Sequence, residues 1–150
     1  MGVRHYPDTP RAYCDLDGVL ADMEAGAQAV RMPLREFKLQ PGAYLHLPKI
    51  EGATHAIATL EQRGYQIFVL SKIPTENLGA ATEKLVWIKH NFPQLNDRVI
   101  ITPDKGAVGR KCDFLIDDHP EWANAERFPG CLIHFRNNWG EVLRQMPPVK

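Results

Sequence analysis

Five short apolar runs recur along the chain and predict β-strands. The runs are brief, and several are continuously apolar instead of alternating with polar residues, which is typical of parallel strands that are covered on both faces. The predicted strands are residues 12–16 (AYCDL), 66–70 (QIFVL), 98–102 (RVIIT), 113–117 (DFLID) and 131–135 (CLIHF).

Apolar residues spaced by three and four predict helices between these strands. Residues 23–30 are rich in alanine and also favour a helix, and Gly64 and Pro93 stand where two of the helices should stop. Asn138 is placed to cap the last helix. The three apolar stripes consist of Ile50, Ala53, Ile57 and Leu60, of Leu78, Ala81, Leu85, Ile88 and Phe92, and of Trp139, Val142, Leu143 and Met146.

The alternation of strands and helices predicts an α/β fold with a Rossmann-like parallel sheet of about five strands flanked by helices. Residues 1–150 should form a single domain. Residues 31–49 break the rhythm, because Pro33, Pro41 and Pro48 interrupt any helical period. A small cap, inserted after the first strand, is predicted at about residues 22–50.

Composition and charge narrow the class of protein. Of the 150 residues, 44% are hydrophobic and 24% are charged, which suits one globular domain. Lys and Arg number 18, as do Asp and Glu, so the basic excess of a nucleic-acid-polymer binder is missing. No apolar run approaches the roughly 20 residues of a membrane span, and the N-terminus lacks a secretory segment, so we expect a cytoplasmic protein with no membrane partner. The three cysteines have no zinc spacing and are expected to be small buried residues.

Polar residues follow four of the predicted strands at their carboxyl ends, where ligands bind in parallel sheets. The four sets are Asp15-Leu16-Asp17-Gly18, Ser71-Lys72, Thr102-Pro103-Asp104-Lys105 and Asp117-Asp118. Carboxylates this close repel one another unless a cation is present. An oxygen-only ligand set suits Mg²⁺, and a lysine beside it indicates a phosphate-bearing substrate.

These motifs resemble those of the haloacid dehalogenase (HAD) superfamily of phosphatases. Asp15-Leu16-Asp17-Gly18-Val19 is similar to its first motif, and Ser71, Lys105 and Asp117-Asp118 follow in the order of the other three. A narrower resemblance is to the 5′(3′)-deoxyribonucleotidase family, although that family has Thr-Ser-Pro where this chain has Ser71-Lys72-Ile73-Pro74. The segments that carry it are CDLDGVLADMEAG, KLVWIKHNFP, VIITPDKGAV, LIDDHPE and NNWGEVL. The resemblance implies a HAD fold and suggests a homodimer.

The resemblance also implies a role for each motif residue. Asp15 would be the nucleophile that forms an aspartyl-phosphate, and Asp17 would be the general acid and base. Ser71 and Lys105 would contact the phosphate of the substrate, and Lys72 either projects toward that phosphate or into solvent. The Mg²⁺ ligands would be Asp15, the backbone carbonyl of Asp17, and one carboxylate of the pair Asp117 and Asp118, with Asp118 favoured.

The predicted function is a Mg²⁺-dependent phosphomonoesterase, a hydrolase that acts on a small phosphate ester. A (deoxy)nucleoside monophosphate is the favoured substrate, and a sugar phosphate or another small metabolite is the alternative. A receiver-like signalling module, in which Asp15 holds phosphate without turnover, is an alternative of another class. Asp17 favours the enzyme, because a receiver needs no acid-base group there. Phe37 and Tyr44 could either clamp a base or pack the cap.

Overall fold

The computed structural model describes residues 9–150, which form one five-stranded parallel sheet. The strands are β1 Arg11–Cys14, β2 Gln66–Ser71, β3 Val99–Ile101, β4 Phe114–Asp117 and β5 Cys131–His134. They lie in the order β3-β2-β1-β4-β5, and every neighbouring pair is parallel. All five predicted strands are therefore confirmed.

Five α-helices connect or follow these strands, and three-residue 3₁₀ helices occupy some of the loops. The predicted cap of the last helix is confirmed, because the side chain of Asn138 accepts a hydrogen bond of 3.1 Å from the backbone N–H of Glu141. The α-helices are α1 Met23–Ala29, α2 Leu34–Phe37, α3 Ala53–Gln62, α4 Ala80–Asn91 and α5 Trp139–Gln145, and the 3₁₀ helices are Pro93–Leu95, Lys105–Ala107 and Ala125–Arg127.

The buried face of α4 differs from the predicted stripe. Leu78 and Leu85 were expected to face the core, but they are 79% and 43% exposed. Ile88 of the predicted stripe does face the core, as does Phe92 just after the helix, and the inward face adds Lys84 and Trp87. Apolar residues occur around most of this helix, so their spacing does not define one face. A lysine is tolerated on the inward face only because oxygen atoms there accept hydrogen bonds from its ammonium group.

The core has two parts, one on each face of the sheet. Ala12 and Cys14 of β1 belong to the larger part, to which α1, α3, α4 and α5 all contribute. Tyr13 points to the other face, where it packs with Phe128 and Leu115 beside the 3₁₀ helix Ala125–Arg127. The sheet is thus covered on both faces, as the continuous apolar runs indicate, but one cover is largely loop.

The cysteine prediction holds for one residue only. Cys14 is buried in β1, whereas Cys112 and Cys131 are exposed. Cys131 begins β5, which is an edge strand with a neighbour on one side alone. No helix within residues 9–150 has the length and apolar character needed to cross a membrane.

Residues 22–50 form an insertion after β1 whose two ends lie next to each other. Its ends are tied by backbone hydrogen bonds of 2.8 Å, one from Asp22 N–H to the carbonyl of Pro48 and one from Ile50 N–H to that of Leu20. It is also fastened to α4, where the carboxylate of Glu83 accepts hydrogen bonds from backbone N–H groups of this segment. The segment therefore sits as a compact excursion above the carboxyl end of β1.

Candidate active site

The turn after β1 places Asp15 and Asp17 at the carboxyl edge of the sheet. The N–H of Asp15 still bonds to the carbonyl of Ile116 in β4, at 2.9 Å, so the nucleophile candidate is held by the ladder. Gly18 then has a φ of +82°, which favours glycine. A Cβ at Gly18 would lie 2.1 Å from Oδ2 of Asp118. Glycine is therefore required at this position, both for the positive φ of the turn and because Asp118 lies so close.

Three carboxylates meet at this edge. Asp15, Asp117 and Asp118 each offer an oxygen, and these three oxygens lie within 4.8 Å of one another. They converge because β1 and β4 are adjacent parallel strands that end side by side. The predicted gathering of the acidic motifs is therefore what the structure has.

Lys105 lies among these carboxylates. Its Nζ is 3.2 Å from Oδ1 of Asp15 and 2.7 Å from Oδ2 of Asp117, and the residue is 4% exposed. Although burial opposes the charged form, the carboxylates of Asp15 and Asp117 raise the pKa of Lys105. The ammonium group therefore stays protonated and offsets part of the negative charge.

One lysine does not neutralise the cluster. Burial raises the pKa of Asp15 well above its usual range; Lys105 opposes that rise, and the neighbouring carboxylates of Asp117, Asp17 and Asp118 add to it. Burial likewise raises the pKa of Asp118. Without a further cation, the ionised form of the cluster is unfavourable.

The two aspartates of the last motif differ in their partners. Asp117 is satisfied, because Oδ1 accepts from the N–H of His119 at 2.8 Å and Oδ2 accepts from Lys105. Asp118 has a buried Oδ1 without a hydrogen-bond partner among the described residues, and so has Asp17. Buried oxygens left unpaired are costly. Their placement beside Asp15 fits a divalent cation with oxygen ligands, and it leaves Asp118 freer to bind the cation than Asp117.

Lys84 is a site residue that sequence reasoning missed. It is fully buried, and its Nζ donates to Oδ2 of Asp17 at 3.1 Å, to the hydroxyl of Ser71 at 2.8 Å and to the carbonyl of Lys72 at 2.6 Å. A lysine therefore joins the first and second motifs. The signal in the sequence is its position four residues before Ile88 on a helix, which places a charge on an apolar face.

A cavity of about 630 Å³ opens over these groups. Ser71 is 1% exposed and does not belong to the cavity wall formed by residues 9–150. Of the other predicted site residues, the wall includes Asp15, Asp17, Lys72, Lys105, Asp117 and Asp118. The cap segment contributes Leu34 and Lys38, and the loop after β4 contributes His119 and Trp122. The geometry thus offers an open acidic cavity with cationic side chains in its wall.

The two aromatic residues of the cap are both buried. Phe37 is 7% exposed and Tyr44 is 1% exposed. The ring of Tyr44 faces Nζ of Lys84 at 5.0 Å, while Phe37 packs into the main core. Of the two roles considered for them, packing of the cap is the one that the structure has.

Comparison with known proteins gives the same picture. Residues 28–144 match the model of the family described as "5′ nucleotidase, deoxy (Pyrimidine), cytosolic type C protein". A putative 5′(3′)-deoxyribonucleotidase of Vibrio phage KVP40 is 27% identical over 135 residues, which cover 85% of this chain and 76% of the relative. The human cytosolic-type 5′(3′)-deoxyribonucleotidase is 26% identical over 189 residues, which cover 89% of this chain and 92% of the relative.

Solved structures agree on the fold. A HAD family hydrolase from Deinococcus radiodurans R1, solved with bound phosphate and sodium, superposes with a TM-score of 0.56 at 17% identity, over 93% of this chain and 89% of that one. The family match spans most of the chain, residues 28–144 of 150. The chain therefore belongs to the deoxy 5′-nucleotidase type C family and is a HAD-type, 5′-nucleotidase-like hydrolase.

Proposed function

We propose that this chain hydrolyses a (deoxy)nucleoside monophosphate to a nucleoside and inorganic phosphate, through an aspartyl-phosphate on Asp15. The observation that carries the proposal is the pairing of Asp15 with Lys105 at 3.2 Å, beside carboxylate oxygens of Asp17 and Asp118 that lack partners. The names of the relatives support the nucleotide as substrate class.

The first step would be attack by Asp15 on phosphorus. Oδ1 of Asp15 accepts from the N–H of Leu16 at 2.8 Å and faces Lys105, so we assign the attack to Oδ2. A bond forms between this oxygen and phosphorus, and the bond between phosphorus and the leaving oxygen breaks. Lys105, and Lys72 at the cavity wall, would stabilise the negative charge of the phosphoryl group.

Asp17 would transfer the protons. Lys84 holds its Oδ2 and leaves Oδ1 unpaired, so Oδ1 is assigned as the atom that carries the proton. Asp17 gives this proton to the leaving oxygen and then takes one from water, which attacks phosphorus and breaks its bond to Asp15. Ser71 accepts a hydrogen bond from Lys84 and so helps to hold this lysine, and its own O–H would turn from the carbonyl of Lys72 to donate to the phosphate.

Mg²⁺ is the proposed cofactor, held by the carboxylates of Asp15 and Asp118 and by the backbone carbonyl of Asp17, with Asp117 beside them. When bound, it would offset the charge between Asp15 and the phosphate. The three carboxylate oxygens within 4.8 Å and the unpaired Oδ1 of Asp118 support this assignment.

Residues 22–50 are proposed to act as the cap of this site. Leu34 and Lys38 reach the cavity wall from this segment, which supports the assignment.

We further propose a cytoplasmic enzyme that forms a homodimer and binds neither a nucleic acid polymer nor a membrane. The cytosolic-type human relative supports the location, while a mouse relative is mitochondrial. Light scattering of the purified chain tests the dimer.

A turnover screen tests the function. Phosphate release is measured with Mg²⁺ across deoxy- and ribonucleoside 5′- and 3′-monophosphates and common sugar phosphates. We expect a deoxyribonucleoside monophosphate to react fastest. A sugar phosphate that reacts fastest, with every nucleotide slow, would overturn the nucleotide assignment. A stable phosphoprotein without turnover would instead support the receiver-like alternative.

A further inference from the structure

Trp122 differs from the other tryptophans of this chain. Trp87 and Trp139 are 1% and 4% exposed, and their indole N–H groups donate to the carbonyls of Leu47 and Val19. Trp122 is 53% exposed, and its indole N–H donates to no atom within residues 9–150. It nevertheless lines the cavity. The indole N–H and the ring face that His119 leaves uncovered are therefore presented to the site, with Nζ of Lys38 nearby.

Neighbouring side chains hold this indole in one orientation. The ring of His119 stacks on it, with centroids 3.7 Å apart and planes inclined by 15°. His119 is itself fixed, because its Nδ1 lies 2.9 Å from Oε1 of Glu121. Nζ of Lys38, from the cap segment, lies 5.8 Å from the centroid of the indole ring. A stacked, ordered ring loses little conformational entropy when a planar ligand packs against it.

The indole stands at a useful position relative to the carboxylates. Nε2 of His119 lies 3.7 Å from Oδ2 of Asp118, so the carboxylate, the imidazole and the indole follow one another along the cavity wall. In a nucleoside monophosphate, the sugar separates the phosphate from the base. With the phosphate at Asp15 and Asp118, the base would reach the region where Trp122 lies.

The aromatic residues of the cap offer little surface for stacking, because Tyr44 belongs to the cavity wall but is only 1% exposed, and Phe37 lies outside the wall formed by residues 9–150. Phe37 and Tyr44 are buried, as described above, and Tyr44 turns its ring to the buried Lys84. Trp122 is thus the exposed aromatic residue of the cavity wall formed by residues 9–150. Its sequence position, in the loop after the last acidic motif, belongs to none of the motifs that carry the chemistry.

We propose that Trp122 is the stacking platform for the nucleobase of the substrate, and that it determines the preference of the site for nucleotides over base-free phosphate esters. This inference rests on the proposed nucleotidase function. Stacking on an aromatic side chain suits every base, because each has a planar π-face. Trp122 would therefore select for the presence of a base more strongly than for its identity.

Steady-state kinetics test this role with two substrates, the best deoxyribonucleoside monophosphate of the screen and 2-deoxyribose 5-phosphate, which has no base. We expect Trp122→Ala to raise KM for the nucleotide about 10-fold, as lost base stacking does, and to leave KM for the sugar phosphate unchanged. Trp122→Phe keeps a stacking face and should stay within about 3-fold of the wild type. Leu78→Ala, which removes another exposed apolar side chain outside the cavity, serves as the matched control.

Tryptophan fluorescence gives a readout that does not depend on turnover. In Asp15→Asn, which should bind but not react, the nucleotide is expected to quench the emission of the exposed Trp122, and 2-deoxyribose 5-phosphate is not. The same titration in the double variant with Trp122→Phe should show no quenching. Quenching that persists there would come from Trp87 or Trp139 and would overturn the inference.

The two proposals fail in different ways. If the wild type hydrolyses phosphate esters but no nucleotide, the proposed function fails before any variant is made. The stacking role of Trp122 then fails with it, because no nucleobase enters the site. If nucleotides are hydrolysed and Trp122→Ala leaves their KM unchanged, or changes both substrates equally, the proposed function stands and the stacking role of Trp122 is wrong.

Discussion

The aspartates that flank β4 at its two ends, Asp113 and Asp118, have opposite hydrogen-bonding environments. At the amino end, Asp113 is fully buried and accepts from the N–H of Arg11 at 2.9 Å, from the N–H of Arg110 at 2.8 Å and from the Arg110 guanidinium at 2.9 and 3.1 Å. At the carboxyl end, Asp118 has a buried oxygen without a partner among residues 9–150. Four residues of strand separate a satisfied carboxylate from an unsatisfied one.

The difference appears in the pKa values. Although burial opposes ionisation, hydrogen bonds from Arg110 and from the N–H of Arg11 lower the pKa of Asp113. Burial raises the pKa of Asp15 and Asp118 at the other edge. The carboxylate at the amino end has its full set of donors, whereas the carboxyl edge, where the proposed active site lies, keeps unpaired oxygens that the proposed cation and substrate would complete. That contrast is the central claim of this account.

The largest effect is expected at the catalytic edge. Asp15→Asn removes the nucleophile and should lower turnover about 10⁴-fold or more. It should not lower the melting temperature, because it also removes one of several mutually repelling carboxylates. Phosphate release and thermal melting measure the two quantities. Residual turnover near the wild-type rate would refute the covalent mechanism, and a marked fall in melting temperature would refute the contrast between the edges.

The opposite result is expected at the amino end. Asp113→Asn places an amide against donors from Arg11 and Arg110 and should lower the free energy of unfolding by about 3 kcal/mol. Urea denaturation measures this loss. The folded variant should keep its kcat, since Asp113 lies at the far edge of the sheet. A variant as stable as the wild type would show that the ion pair does not stabilise the fold.

Lys84→Met tests whether the buried lysine acts through Asp17. We expect kcat for an alkyl phosphate ester to fall about 100-fold, because Asp17 loses the group that orients it. A p-nitrophenyl ester should lose much less, since its leaving group needs little protonation. Lys89→Met, on the exposed side of the same helix, is the control. Equal losses with both esters would indicate a structural role only.

The smallest effect concerns the pH dependence of stability. Because the folded-state pKa of Asp113 is lowered, its contribution is fully present above its unfolded-state pKa of about 3.9 and is lost as pH falls through the folded value. The difference in unfolding free energy between the wild type and Asp113→Asn should therefore be constant from about pH 7 to pH 5 and shrink below about pH 4. A difference that already narrows between about pH 7 and pH 5 would contradict the lowered pKa.

The parts of this molecule that the sequence predicts well are those with a repeated or local signal. Continuous apolar runs place all five strands, and parallel pairing then brings Asp15, Asp117 and Asp118 to one edge. Gly18 follows from the turn that this arrangement needs. None of these inferences requires knowledge of distant contacts beyond the order of the strands.

The parts that escape prediction depend on contacts between distant segments. From the sequence alone, Lys84 would be assigned to the surface, because the sequence does not show that Asp17 and Ser71 accept hydrogen bonds from its ammonium group. Trp122 reads as one more apolar residue until the cavity is in place. The burial of Phe37 and Tyr44 depends on how the cap folds onto α4. In each case tertiary partners decide the role, and spacing along the chain carries no record of them.

The most direct test of the central claim is the effect of Mg²⁺ on thermal stability, compared between the wild type and Asp118→Asn. A cation that completes the unsatisfied edge binds the folded state alone, so saturating Mg²⁺ should raise the melting temperature of the wild type by about 5–10 °C. In Asp118→Asn most of that rise should disappear, while the variant without Mg²⁺ melts no lower than the wild type. An unchanged wild-type melting temperature, or an equal rise in both proteins, would contradict the claim.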